Sequence, residues 1–159
     1  MPVRLNISLA GDVQIDRELL RMRNAVVDAR PAFEKIALMI SQFTLKHFAS
    51  EGGGGAGGRW SSGHWAPLSP PYRAWKAEHF PGQPILVCTG ALRRDLTNSP
   101  MGVQTITSDT MTVGTDIPYA AFHQQGTPRM PRRRVLDLDT ATRTEMVKVL
   151  QRWVATGSL

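Results

Sequence analysis

The residues most suggestive of chemistry form a glycine-rich stretch that leads into an arginine. Six of the seven residues from Gly52 to Gly58 are glycine, and Arg59 and Trp60 follow them. A phosphate-binding P-loop requires Lys-Ser or Lys-Thr after its last glycine, at the start of a helix. A dinucleotide fingerprint requires a strand before the glycines, whereas the residues before Gly52 have a helical pattern. We therefore predict a flexible loop over about residues 51–64 and no nucleotide site.

Histidine, cysteine and acidic residues show no spacing typical of a metal or catalytic centre. None of the four histidines lies at a metal-ligand spacing from another or from the single Cys88. Cys88 lies in the apolar sequence Ile-Leu-Val-Cys-Thr-Gly, where a thiol typically packs as a small hydrophobe. Asp137 alternates with Asp139, but Asp139 is better interpreted as a helix N-cap. We interpret His47 as a residue at the boundary of the core, and we expect no enzymatic activity and no cofactor.

Aromatic side chains on the far side of the glycines are suited to contacts with another molecule. Because they alternate with Arg59, Arg73 and Lys76, they could stack on single-stranded bases. They could also act as anchors, since tryptophan and tyrosine dominate interface hot spots and small cores alike. We favour anchors, because the surrounding prolines indicate rigid turns rather than an open sheet. The candidate interface residues are Trp60, Trp65, Tyr72 and Trp75.

The balance of charge indicates an acidic partner surface or nucleic acid. The net charge is +6 and the pI is about 10.2. Four arginines lie within six residues, in a predicted loop over about residues 126–135, which could contact DNA, dock on an acidic protein or simply be solvated. These arginines are Arg129, Arg132, Arg133 and Arg134.

Length and composition indicate one globular domain. A chain of 159 residues, 42% of them hydrophobic and 20% charged, can bury one real core. No apolar run approaches the roughly 18 residues that a membrane span needs. A single cysteine excludes an internal disulfide, so the fold does not depend on an oxidising compartment and we expect the chain to fold in a cytoplasm.

The first half of the chain shows one strand pattern and two helix patterns. Apolar and polar residues alternate from Val3 to Leu9, as in a half-buried strand. Asp16 is a candidate N-cap for a first helix. Pro31 ends that helix and begins a second, which reaches Ala49. Its apolar stripe consists of Phe33, Ile36, Ala37, Ile40, Phe43 and Phe48.

The second half predicts a hairpin among short helices. A helix begins at Pro70 or Pro71, and a further helical turn follows residue 89. Residues 101–107 and 110–115 form a hairpin around Ser108-Asp109, because β-branched residues dominate both arms. A short helix covers residues 117–124, and Asp139 caps the last helix. The predicted fold is a single α+β domain: a small antiparallel sheet packed against one long helix, with several short helices and extended loops.

Three blocks of sequence resemble the phage virion morphogenesis family, the tail-completion proteins of Mu-like and related tailed phages. The first is WAPLSPPYRAWK, from Trp65 to Lys76. The second is ILVCTGALRRDL, from Ile85 to Leu96, and the third is MTVGTDIPYAAFHQQGT, from Met111 to Thr127. Their order and spacing fit the family over about residues 3–150. The chain departs from the family pattern at Pro131-Arg132-Arg133-Arg134-Val135, where the family has Pro-x-Arg-Pro-Phe.

The resemblance implies a structural protein of the virion, located at the head–tail junction. It implies a homo-oligomeric ring, which we expect to be hexameric, in contact with the head–tail connector and with tail tube or terminator proteins. The glycine loop would then contact a neighbour, and the arginine-rich loop would face passing DNA or an acidic connector surface. The alternative function is that of a small basic nucleic-acid-binding protein. Ring formation without DNA would favour the first, and DNA affinity that falls steeply with salt would favour the second.

Overall fold

A long helix with an apolar stripe organises the fold. The computed structural model describes residues 13–53 and 64–159. The long helix, α2 (Arg30–Ala49), has Pro31 in its first turn, where the missing N–H leaves no hydrogen bond unmade. Its predicted bounds are confirmed to within one residue. The buried positions of α2 are Ala32, Ile36, Ala37, Ile40, Ser41, Thr44, His47 and Phe48.

A helix α1 (Val13–Val27) precedes it and differs from the prediction at its start. Asp16 lies inside the first turn of α1 and is not its N-cap. The helix extends further toward the N-terminus than the capping signal indicated, because Asp is tolerated in a first turn, where its charge complements the helix dipole. The strand predicted over residues 3–9 lies outside the described residues.

The predicted hairpin is confirmed and packs against α2. Strands β1 (Val103–Ile106) and β2 (Met111–Gly114) pair antiparallel, with Ile106 opposite Met111. The turn is stabilised by Thr107, whose hydroxyl donates a hydrogen bond of 2.8 Å to the Asp109 carboxylate. Side chains of the hairpin and of α2 share one hydrophobic cluster with the last helix. Its buried members are Ile36, Ile40, Met101 and Met146.

The last helix, α6 (Thr140–Thr156), joins α1 to this cluster. Asp139 is its N-cap, as predicted, because a carboxylate oxygen accepts a hydrogen bond of 2.7 Å from Thr142 N. The indole N–H of Trp153 donates to the carbonyl oxygens of Ala25 and Asp28, both at 3.0 Å. These bonds fix α6 across the end of α1.

Three short helices build the other side of the domain. They are α3 (Pro70–His79), α4 (Ala91–Thr97) and α5 (Tyr119–Gln125). Two of them, α4 and α5, contribute with the end of α2 to a second hydrophobic cluster, and the α+β fold class is confirmed. The buried residues of that cluster are Phe48, Trp65, Val87, Leu92, Leu96, Ala120 and Val135.

Candidate assembly surface

The arginine-rich segment is tied to the domain by hydrogen bonds. The side chain of Gln124 accepts from the backbone N–H groups of Val135 and Leu136, at 3.0 and 3.2 Å, and donates to the Leu136 carbonyl at 2.9 Å. The N–H of Arg133 donates to the His123 carbonyl at 2.8 Å. Residues 133–136 therefore run alongside α5 as a fixed strap.

The four predicted arginines of this segment do not form one surface. Arg129 and Arg132 are exposed, as a DNA or protein contact would require. Arg133 is 5% exposed, and its guanidinium donates to the carbonyl oxygens of Ala66 and Pro67 at 2.8 and 3.0 Å. Burial lowers the pKa of Arg133, because the charged form loses hydration. Arg133 therefore links two segments of the domain and is not exposed. Its burial contradicts the prediction that it contacts DNA or an acidic connector protein.

Arg134 is only partly exposed and also has structural partners. Its guanidinium lies 3.4 Å from a carboxylate oxygen of the buried Asp137. Its carbonyl oxygen accepts a hydrogen bond from the Trp65 indole at 2.8 Å and lies 2.8 Å from His47 Nε2. A carbonyl oxygen can only accept, so His47 carries its proton on Nε2.

Trp65 lies in the core rather than on the surface. It is 5% exposed and packs edge-on against Phe48 and His47, with ring centroids 5.4 and 5.0 Å apart. We call Trp65, His47 and the Arg134 carbonyl the tryptophan corner. His47 is 1% exposed, so its interpretation as a boundary residue was wrong: the hydrogen bond to Arg134 allows the ring to be buried.

Tyr72 and Trp75 lie on the exposed face of α3 and are each 43% exposed. The Trp75 ring stacks on Tyr72 and on His79, with centroids 5.4 and 4.6 Å apart and interplanar angles of 23° and 22°. We call these three residues the α3 stack. Their exposure is compatible with the predicted interface role, which remains a prediction, and Trp60 lies outside the described residues.

A cavity that sequence reasoning missed lies beside the strap. It has a volume of about 640 Å³ and is bounded by α3, the start of α4, α5 and residues 129–133. Lys76 lines it and is 4% exposed, with its ammonium donating to the Gln83 carbonyl at 2.6 Å and also to the Pro84 carbonyl. No local pattern marks such a cavity, because its walls come from separate parts of the sequence. From sequence alone, Lys76 cannot be distinguished from an ordinary exposed residue of a helix.

The chain matches the model of the phage virion morphogenesis family over residues 11–155. The protein belongs to the phage virion morphogenesis family. Comparison with curated proteins finds no significant match, and neither does comparison with solved structures. Membership of this family gives the protein a structural or assembly role in the phage virion.

Two further properties of the described residues bear on this family role. Within residues 13–53 and 64–159, no helix is both long and apolar enough to cross a membrane. The same part of the chain contains no group of three or more His, Cys, Asp or Glu side chains placed to hold a metal ion. The described surface also carries exposed large apolar and aromatic side chains.

Proposed function

We propose that this member of the phage virion morphogenesis family forms a ring, six-fold in our expectation, at the head–tail junction and helps to join the tail to the filled capsid. The observation that carries the proposal is the presence of two separate exposed apolar surfaces on one small domain. A subunit in a closed ring uses two different surfaces, one for each neighbour, and further contacts for the rings above and below.

The first of these surfaces is one face of α1. Five large apolar side chains there are between 40% and 64% exposed. At 100° per residue they fall within an arc of about 160°, which also contains the exposed Asp16 and Arg23. Ala25, on the other side of the helix, is buried and its carbonyl binds Trp153. The exposed residues of this α1 face are Leu19, Leu20, Met22, Val26 and Val27.

The second surface combines α3 and α5. Tyr72, Trp75, Tyr119 and Phe122 are between 43% and 57% exposed. Large aromatic residues contribute most strongly to interface energies when they become buried. Because the α1 face and this aromatic surface belong to different helices, each can bind a different neighbour.

The exposed arginines supply a third kind of contact. Arg129 and Arg132 project positive charge from a segment that is otherwise fixed, on a chain of net charge +6. In a ring, such residues would neutralise DNA phosphates in the lumen without reading bases, or would bind an acidic connector protein. Arg133 and Arg134 would position this segment instead of contacting the partner.

Solution assembly tests the ring directly. Light scattering after gel filtration, together with negative-stain microscopy, should show a ring in the absence of DNA. Leu19→Glu with Val26→Glu should reduce the protein to monomers, because two carboxylates would replace two adjacent apolar side chains of the α1 face. Leu45→Glu is a matched control, since Leu45 is 51% exposed on α2. A protein that stays monomeric at every accessible concentration and in the presence of its virion neighbours would contradict the proposal.

The alternative function, a small nucleic-acid-binding protein, is favoured by the net charge and by Arg129 and Arg132. The aromatic residues argue against it. Both neighbours of Trp75 in the α3 stack are rings stacked on the indole, whereas base stacking requires an open aromatic face. Affinity for an oligonucleotide that falls steeply with salt, with no ring in its absence, would favour this alternative.

A further inference from the structure

The cavity beside the strap combines apolar walls with an excess of positive charge. Leu86, Leu92, Met130 and the ring of Tyr119 contribute to its lining. Lys76, Arg129 and Arg133 line it as well, and among the described residues no aspartate or glutamate contributes to its lining. The cavity therefore favours a ligand that is apolar and negatively charged.

Within residues 13–53 and 64–159, the two buried cations that line this cavity have only carbonyl groups as hydrogen-bond partners. Lys76 and Arg133 are 4% and 5% exposed, and in the described part of the chain neither has a carboxylate within 4.0 Å. Backbone carbonyl oxygens carry only partial charges, so Lys76 and Arg133 retain a net positive field that a bound anion would complement. Glu51 lines a neighbouring cavity together with Lys76, so its carboxylate, which accepts a hydrogen bond of 2.6 Å from Ile85 N, supplies negative charge in that cavity and not in this one.

A polar atom of His123 adds a directional contact. The ring lines the cavity, and within the described residues its buried Nδ1 has no hydrogen-bond partner. Burial and then the charge of Arg133 lower the pKa of His123, so the ring is neutral at pH 7. A neutral imidazole can accept a backbone N–H or donate to a carbonyl oxygen, and a peptide offers both.

We propose that this cavity binds a short peptide segment of a neighbouring virion protein, one that presents an acidic side chain between apolar side chains. A volume of about 640 Å³ is within the range of ligand pockets and accommodates a few side chains. The acidic side chain of the peptide binds Arg129 at the rim of the cavity. It lies there in the positive electrostatic field of Lys76 and Arg133. The apolar side chains contact Leu86, Leu92 and Met130.

This inference rests on the proposed function only for the source of the peptide. A nucleic acid would satisfy the positive charge, and its bases could stack on Tyr119, but the aliphatic walls formed by Leu86, Leu92 and Met130 match aliphatic side chains better than flat bases with polar edges. The peptide is therefore the occupant that matches both features. An oligonucleotide is the competing ligand that the experiment must include.

The test uses the full chain and three blocked decapeptides as probes, in which leucine alternates with glutamate, glutamine or lysine. Backbone amide shifts in ¹H–¹⁵N spectra report the site and the affinity. The glutamate peptide should shift the amides of Gly90, Ala91 and Arg129, and should bind at least tenfold more tightly than the glutamine peptide. The lysine peptide should not bind. Equal affinity for the glutamate and glutamine peptides would overturn the electrostatic part of the proposal and with it the choice of partner.

A matched pair of variants distinguishes peptide binding in the cavity from nonspecific attraction to the positive charge of the protein. Arg129→Glu should weaken the glutamate peptide at least tenfold, because Arg129 lines the cavity. Arg132→Glu should change it less than twofold, since Arg132 is exposed nearby but does not line the cavity. Equal losses in both variants would contradict the proposal, as would an oligo(dT) decamer that shifts the same amides at lower concentration.

The outcomes for the peptide site and for the ring are distinguishable. Selective peptide binding by a protein that forms no ring and is dispensable for tail joining would refute the proposed function and leave the site in place. A ring that joins tails to heads but ignores the glutamate peptide would refute the site alone.

Discussion

Trp65 of the tryptophan corner and Trp75 of the α3 stack lie only ten residues apart in the sequence, yet they have opposite environments. Trp65 is 5% exposed, and Trp75 is 43% exposed. The indole N–H of Trp65 donates to the Arg134 carbonyl, 69 residues further along the chain. The Trp75 ring instead stacks on its own helix, against Tyr72 and His79. The difference indicates that a long-range hydrogen-bond partner distinguishes the buried tryptophan from the one that stays exposed.

The largest expected effect comes from removing the two tryptophans in turn. Trp65→Ala should lower the free energy of unfolding by about 3–5 kcal/mol, because it leaves a cavity and removes the donor to Arg134. Trp75→Ala should cost under about 1 kcal/mol but should weaken ring assembly. Urea unfolding of both variants, with light scattering for assembly, measures the two effects. Similar losses of stability in both variants would contradict the assignment of Trp65 to the core and Trp75 to the surface.

A pair of glycines sharpens the same comparison. Gly52 has φ +85°, and a Cβ built there would lie 2.6 Å from Trp65 Cδ1. Gly82, which follows the α3 stack, has φ +73° but nothing within 4 Å of a Cβ. Both Gly→Ala variants incur the cost of a left-handed residue, about 1–2 kcal/mol. Gly52→Ala should cost about 1–3 kcal/mol more, because the methyl group overpacks the tryptophan corner.

Thermal or urea unfolding of the two glycine variants measures this difference. Equal losses of stability would mean that the contact between Gly52 and Trp65 does not constrain the chain. The comparison also explains why at least the first residue of the glycine-rich stretch is glycine: it allows the backbone to approach a buried indole.

The smallest expected effect is a pH dependence located at the tryptophan corner. Burial lowers the pKa of His47 below its ordinary value of 6.5, and the hydrogen bond to the Arg134 carbonyl only partly opposes this. The folded protein thus binds the proton less readily than the unfolded chain. The contribution of His47 to the unfolding free energy is fully present above pH 6.5. It is lost as the pH falls from 6.5 toward the pKa of His47 in the folded protein.

A histidine pair tests this pH dependence. His47→Gln should flatten the decline in unfolding free energy between pH 7 and pH 5, whereas His79→Gln in the α3 stack should leave the decline as it is. Urea titrations at a series of pH values measure both variants. A decline that is unchanged in His47→Gln would place the responsible group elsewhere, with His123 as the next residue to substitute.

Local sequence signals predicted the elements but not the residue environments. The stripe of α2, the β-branched arms of the hairpin and the Asp139 cap are properties of a few neighbouring residues, so the sequence predicts them well. Asp16 failed as a cap because the same residue type also suits a first helical turn.

The candidate site was predicted only in part, for a different reason. Arg133 and His47 are buried because carbonyl groups 66 and 87 residues away accept their hydrogen bonds or lie within hydrogen-bond distance. The cavity depends on four separate segments meeting, with Lys76 in one wall. None of these partners can be recognised from local periodicity or spacing, so an arginine cluster and a lysine in a helix both read as exposed.

The most direct test of the central claim is deletion of the gene in the source phage, with the lysate examined by electron microscopy. Our account predicts filled heads beside separate or overlong tails. Joining should be restored by the wild-type protein and by Leu45→Glu, but not by Leu19→Glu with Val26→Glu. Normal virions from the deletion would contradict a role at the head–tail junction.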